Sequence, residues 1–219
     1  MKLSIGILTH NEAEYVSVLF PLLQQYINDD KSSTEYEVVI VDDYSTDLAT
    51  TKLLMLSQDR GWKVLFRSLN NDFAAQKNFL TENCTGDWIL NLDADESISQ
   101  ELFNALLTIV ENNVEVEAYR FPRLNTVNGL TEEHIKKWNW RIEDVDGIQT
   151  VCWPDYQMRL YKNLPQIRWK NKVHEVLDGF KVSSTLPTIK EFAIIHHKDI
   201  SRQEQQNEKY EKIMKAGSV

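Results

Sequence analysis

Four short apolar runs in the first hundred residues, each followed at once by polar side chains, restrict the possible folds of this chain most. They are "LSIGIL" (3–8), "EVVIVDD" (37–43), "KVLFRS" (63–68) and "WILNLD" (88–93). None alternates apolar with polar, as expected of strands covered on both faces. Helical spacing fills much of the chain between and after them. Residues 12–27 line up Tyr15, Leu19, Leu22, Leu23 and Tyr26, and 47–58 follow an Asp47 cap. Residues 99–111 follow Ser99 with Leu102, Leu106, Ile109 and Val110. Strand and helix in this rhythm predict an α/β fold, a mostly parallel sheet with right-handed crossovers, and ligands beyond the carboxyl ends of its strands.

Each of those ends is polar. The first strand runs into Thr9-His10-Asn11-Glu12, the second into Asp42-Asp43-Tyr44-Ser45-Thr46-Asp47, the third towards Asn70 to Asn78, and the fourth into Asp93-Ala94-Asp95-Glu96. Taken singly, Asp42 and Asp47 read equally well as turn and cap residues, and Glu12 as a charge in a first helical turn. Asp93 and Asp95 are harder to dismiss. Carboxylates a few Å apart repel by roughly 1–4 kcal/mol, and a divalent cation turns that repulsion into attraction. Hard oxygen ligands suit Mg²⁺ or Mn²⁺, which commonly complete their shell with substrate phosphates.

The second half, from about Glu117, reads as shorter strands split by loops, and Ser201-x-x-Glu204 opens a polar helix with a capping box. With 219 residues and no Gly-, Ser- or Pro-rich linker, the expectation is one domain over 1–219, with 1–115 as one half and 116–219 as the other. A net charge of -9 argues against nucleic acid as a main partner. Cys84 and Cys152 have no metal-binding spacing, and a reducing cytoplasm is the default. No segment reaches eighteen consecutive apolar residues, so any membrane contact is expected to be peripheral.

The first hundred residues resemble family 2 glycosyltransferases of the GT-A fold. The matching stretches are "IGILTHNE", "VVIVDDYSTD", "NNDFAAQKNF" and "WILNLDADE", the last carrying a D-x-D. The second half resembles a branch of that family that includes lipopolysaccharide-core glucosyltransferases, through "DYQMRLYKN", "RWKNKVHEV" and "AIIHHKD". The resemblance implies a metal-dependent, inverting transfer from a UDP-sugar donor to a glycan or lipopolysaccharide-like acceptor, with Mn²⁺ or Mg²⁺ as cofactor. Thr9, His10, Asn11, Glu12 and Asp42 or Asp43 would hold the nucleoside. Ala74 and Lys77 would lie by the diphosphate, and Asp93, Ala94 and Asp95 would follow the ribose and cation. His196 or His197, with His196 preferred, would add a metal ligand to Asp93 and Asp95. Glu175 is the preferred base over Asp144, with His174 beside it. Asp155, Gln157 and Arg159 look like site-wall residues.

Rival readings are weaker. A haloacid-dehalogenase-type phosphatase carries its D-x-D on the first strand, not the fourth. A nucleotidyltransferase wants a Gly-rich basic loop where this chain has "THNE". GxGxxG and GxxxxGK are absent. The non-enzyme alternative is an inactive nucleotide-sugar-binding module.

Overall fold

In the computed structural model, which describes residues 1–216, the four apolar runs form adjacent parallel strands. These are β1 (Lys2–Thr9), β2 (Glu35–Asp42), β3 (Lys63–Phe66) and β4 (Trp88–Asp93), side by side as β4-β1-β2-β3. Register pairs Thr9 with Asp42 and Leu8 with Asp93, so the strands end nearly flush and their polar continuations share one edge. Ile5, Ile7, Val39, Ile40, Val41, Leu90 and Leu92 are fully buried. Cover on both faces is the reason the runs carry no alternation.

The helices of this half are α1 (Ala13–Asp29), α2 (Leu48–Asp59), α3 (Phe73–Glu82) and α4 (Gln100–Asn112). Side-chain caps fix three of their starts: Asp47 accepts from the Thr50 amide at 2.7 Å, Asp72 from Ala75 at 2.9 Å and Ser99 from Leu102 at 2.9 Å. Sequence spacing does not announce α3, because the residues it buries include Gln76, Lys77 and Thr81 beside Ala74 and Leu80. It has no apolar stripe to read.

Beyond β4 the chain continues through β5 (Glu96–Ile98), β6 (Ala118–Phe121), β7 (Arg123–Asn128), α5 (Glu132–Trp138), β8 (Ile142–Val145), β9 (Ile148–Val151) and β10 (Gln157–Lys162). It then forms β11 (Arg168–Lys170), β12 (Val176–Asp178), β13 (Ser183–Thr185), β14 (Ile194–Asp199) and α6 (Ile200–Ala216). β10 and β6 extend the main sheet with antiparallel pairings, giving the order β13-β6-β10-β4-β1-β2-β3. A second sheet runs β5-β14-β7-β9-β8, and β11 and β12 form a ribbon. Ala94 and Asp95 alone separate β4 from β5. The D-x-D therefore lies where the chain steps from one sheet into the other. α6 begins one residue before Ser201, so Ser201 lies inside the first turn and is not its cap.

Candidate active site

A cavity of about 1060 Å³ opens at the carboxyl edge of the parallel strands. Thr9, His10, Asn11, Glu12, Asp43, Lys77, Asp93, Ala94, Asp95, His174, Glu175 and His196 all line it. Asp42 and Ala74 do not. Asp42 is fully buried and spends its carboxylate on the Ser45 amide and hydroxyl, at 2.7 and 2.5 Å, which closes the turn after β2. Asp43 accepts from the Leu69 amide at 2.8 Å and still faces the cavity. Ala74 is buried in the first turn of α3 and takes no part in the cavity lining, which that helix supplies through Phe73, Gln76 and Lys77.

The first loop is held by Asn11, whose left-handed backbone (φ 54°) lets its side-chain oxygen accept from the amides of Thr46 and Asp47, at 2.8 and 3.0 Å. Asn11 thus joins the loops after β1 and β2, and its carbonyl oxygen is committed to that task. His10 bonds the Asp43 carbonyl through Nδ1 at 2.7 Å and remains half exposed. The buried Thr9 hydroxyl has no hydrogen-bond partner among the described residues. Glu12 occupies the N-cap position of α1 but makes no capping bond. Its two oxygens instead take both arms of the Arg202 guanidinium, each at 2.7 Å. Burial pushes the Glu12 carboxyl up, and Arg202 only partly offsets that.

The crowded acids after β4 have their counter-charge inside the protein. Arg159 from β10 is 3% exposed and lies between Asp93, 2.6 Å away, and Glu96, at 2.7 and 2.8 Å. Arg123 from β7 spans the far side of Glu96 and Asp155, at 3.1 and 2.7 Å. Burial alone raises the Asp93 carboxyl, but Arg159, then Lys77 and Arg123, outweigh it and hold it well below the usual carboxylate range. Asp95 points the other way. It meets the His196 imidazole at 3.5 Å and Arg202 at 3.3 Å, and these partners overcome its own burial to keep it ionised.

The structure offers the cation expected from the sequence fewer ligands than Asp93, Asp95 and His196 together. Asp93 is turned into Arg159, and the described residues contain no cluster of three His, Cys, Asp or Glu side chains placed to hold a metal. Asp95 and His196 do converge. One carboxylate, one imidazole and the oxygens of a bound diphosphate form a donor set that suits a hard divalent ion. His197, the alternative, faces away and contacts Thr126.

Glu175 and Lys77 form an ion pair at 2.6 Å, and the Lys77 ammonium sits 4.4 Å above the Trp169 ring. The preceding residue, His174, has a left-handed backbone (φ 50°) and sets its ring edge against Tyr210 of α6. Asp144 lies outside the cavity lining, accepting from the Gly147 amide at 2.9 Å in the β8–β9 hairpin turn. Arg202, Tyr210 and Arg123 line the site without having been anticipated. The polar character of α6 was legible, but nothing local in "SRQEQQNEKY" shows that it folds back over the first loop.

Known proteins bear on this geometry. A family model described as Glycosyl transferase family 2 matches residues 4–182. An uncharacterized glycosyltransferase of Rickettsia bellii is 37% identical over 101 residues, covering 46% of this chain and 30% of its own length. The lipopolysaccharide core biosynthesis glycosyltransferase LpsC of Rhizobium meliloti is 29% identical over 140 residues, covering 63% of this chain and 48% of its own. The chain thus spans less than half the length of either relative. Residues 1–349 of S. aureus TarS superpose with a TM-score of 0.60 at 17% identity, covering 98% of this chain and 63% of that one. A TarS complex with UDP-GlcNAc gives 0.59 at 18% identity, covering 90% and 58%. Identities this low speak for a shared fold alone.

Proposed function

The chain belongs to glycosyl transferase family 2 and has the GT-A architecture, and from that premise we propose a metal-dependent, inverting transfer of a sugar from a UDP-sugar to a hydroxyl of a glycan or lipopolysaccharide-like acceptor. One observation carries this reading. Thr9, Asn11, Glu12, Asp43, Lys77, Asp95 and Glu175, drawn from separate loops and helices, line a single cavity at the edge where α/β sheets bind their ligands. TarS, which is solved with UDP-GlcNAc, supports a uridine donor. LpsC supports an acceptor of the lipopolysaccharide-core kind.

The nucleoside lies against the first loop, where the Thr9 hydroxyl can donate or accept and the Asp43 carboxylate accepts. The diphosphate lies between Lys77 and Arg202, beside Asp95. A divalent cation at Asp95 and His196 supplies charge neutralisation for the departing diphosphate. In the transfer, the acceptor oxygen attacks the sugar C1 on the face opposite the leaving group. Its proton passes to a Glu175 oxygen, and the electron pair of the broken C1–O bond goes to the diphosphate. Lys77 pairs with Glu175 and also lines the cavity where the diphosphate is placed. Donor binding thus draws Lys77 towards phosphate and frees Glu175 to accept the proton. His174, wedged against Tyr210, orients the loop that carries Glu175.

Turnover of UDP-sugars with Mn²⁺ tests the reading. Glu175→Gln is expected to keep UDP affinity and lose about 10²–10⁴-fold in turnover, whereas equal loss of both assigns Glu175 a structural role. UDP binding without turnover against any acceptor or water favours an inactive nucleotide-sugar-binding module. Among the described residues, no helix is long and apolar enough to cross a membrane.

A further inference from the structure

Both acids of the D-x-D are ends of one continuous polar chain that crosses the second sheet. From Asp93 it passes through Arg159 to Glu96, through Arg123 to Asp155, and from Asp155 to the Asn125 amide at 2.8 Å. The Asn125 oxygen then meets His196 Nδ1 at 2.7 Å, and His196 Nε2 faces Asp95 at 3.5 Å. Register explains the convergence: His196 lies opposite Asn125 on one side and Glu96 on the other, so all three side chains leave the sheet on the same face.

The polarity of this chain is fixed. Asp155 is held ionised, its burial being outweighed by Arg123 and the bonds from Asn125 and Gln157, so it only accepts. The Val151 carbonyl, 3.3 Å away, also only accepts. Both neighbours therefore demand the Asn125 NH₂ group, and the Asn125 oxygen is left towards the imidazole. An oxygen 2.7 Å from Nδ1 requires a proton on Nδ1. With Nδ1 protonated, Nε2 faces the Asp95 carboxylate, and the space between them takes either the proton that helps keep Asp95 ionised or a cation in its place.

We infer that Asn125, anchored by Asp155, is a positioning residue that fixes His196 in the Nδ1–H tautomer and aims Nε2 at a divalent cation shared with Asp95. This deepens the proposed function and rests on it for the identity of the cation. Ligating histidines commonly have such a fixed outer partner, whose loss costs about 10–100-fold in metal affinity.

Nitrogen-15 NMR of His196 in the metal-free protein, at a pH well above the ordinary imidazole range, reads the tautomer directly. The wild type is expected to be Nδ1–H. Asn125→Leu is expected to lose that preference and to bind Mn²⁺ about 10–100-fold more weakly by calorimetry. An Nε2–H wild type overturns the inference without any variant, and so does a folded Asn125→Leu protein with unchanged Mn²⁺ affinity. A wild type that binds Mn²⁺ no better than Asp95→Asn overturns it too. UDP-sugar turnover by the same wild-type preparation then shows whether the transferase reading falls with it.

Discussion

At the scale of single residues, the structure separates two acids that look alike in the sequence. Asp93 and Glu96 are bound into a buried arginine, whereas Asp95 is offered to the cavity. Arg159→Ala leaves Glu96, fully buried, without its two-armed partner, and breaking a buried pair costs about 3–5 kcal/mol. In a domain of this size that lowers the melting temperature by about 6–20 °C, measurable by calorimetry. An unchanged melting temperature contradicts the assignment of Arg159 to the structural frame. Arg202 belongs to the other class. Its guanidinium is 3.3 Å from Asp95, where it repels any cation bound there. Arg202→Gln removes that repulsion, roughly 1–2 kcal/mol with water-like screening, so Mn²⁺ is expected to bind about tenfold tighter in the absence of nucleotide. Weaker binding means that Arg202 does not face the cation.

At the scale of elements, α3 matters most because it carries Lys77. It sits against β1 at Gly6, where an added Cβ meets Leu80 Cδ2 at 2.3 Å and Leu80 is itself fully buried. Gly6→Ala is therefore expected to cost about 1–3 kcal/mol by overpacking. Leu80→Ala, which opens space at the same point, is expected to relieve that cost in the double variant. Strict additivity in denaturant unfolding contradicts the contact. The same helix shows where sequence reading stops. β1 to β4, α1, α2 and α4 were legible because apolar period and capping residues agreed. α3 buries polar side chains and so left no stripe. The hairpin of β8 and β9 and the short α5 were equally silent, because the described residues of α5 include none that is buried. That Thr9, Glu12, Lys77, Asp95 and Glu175 share one cavity was legible from strand ends and family resemblance. That Asp42 and Ala74 lie outside its lining was not, since a turn acceptor and a helix-buried alanine look the same in the sequence as cavity residues. Arg202 and Asn125 were illegible because their roles arise from long-range register and from α6 folding back.

For the whole molecule, the balance of charges predicts its acid sensitivity. Asp155 is depressed because Arg123 and its hydrogen bonds outweigh its burial. Glu37, at the other end of the sheet, is depressed because hydrogen bonds from Ser4 and Thr85 outweigh its own. A depressed carboxylate adds stability that is complete above the unfolded value, near 4, and is lost as pH falls through the folded value. Glu12 runs in the opposite sense, since its raised carboxyl is relieved by protonation. With both Asp155 and Glu37 depressed, urea unfolding is expected to show stability falling steeply below about pH 4, and Asp155→Asn is expected to flatten that fall. A stability that rises on acidification contradicts this balance.

In the proposed function, a divalent cation and a nucleoside diphosphate complete the acids at the mouth of the sheet. Calorimetric titration of UDP into the protein, with Mn²⁺ and then with a chelator, tests it most directly, with Asp95→Ala as the matched variant. Saturable binding is expected with Mn²⁺, weakening at least about tenfold on chelation and in Asp95→Ala. Binding of equal strength under all three conditions, or no binding under any of them, contradicts it.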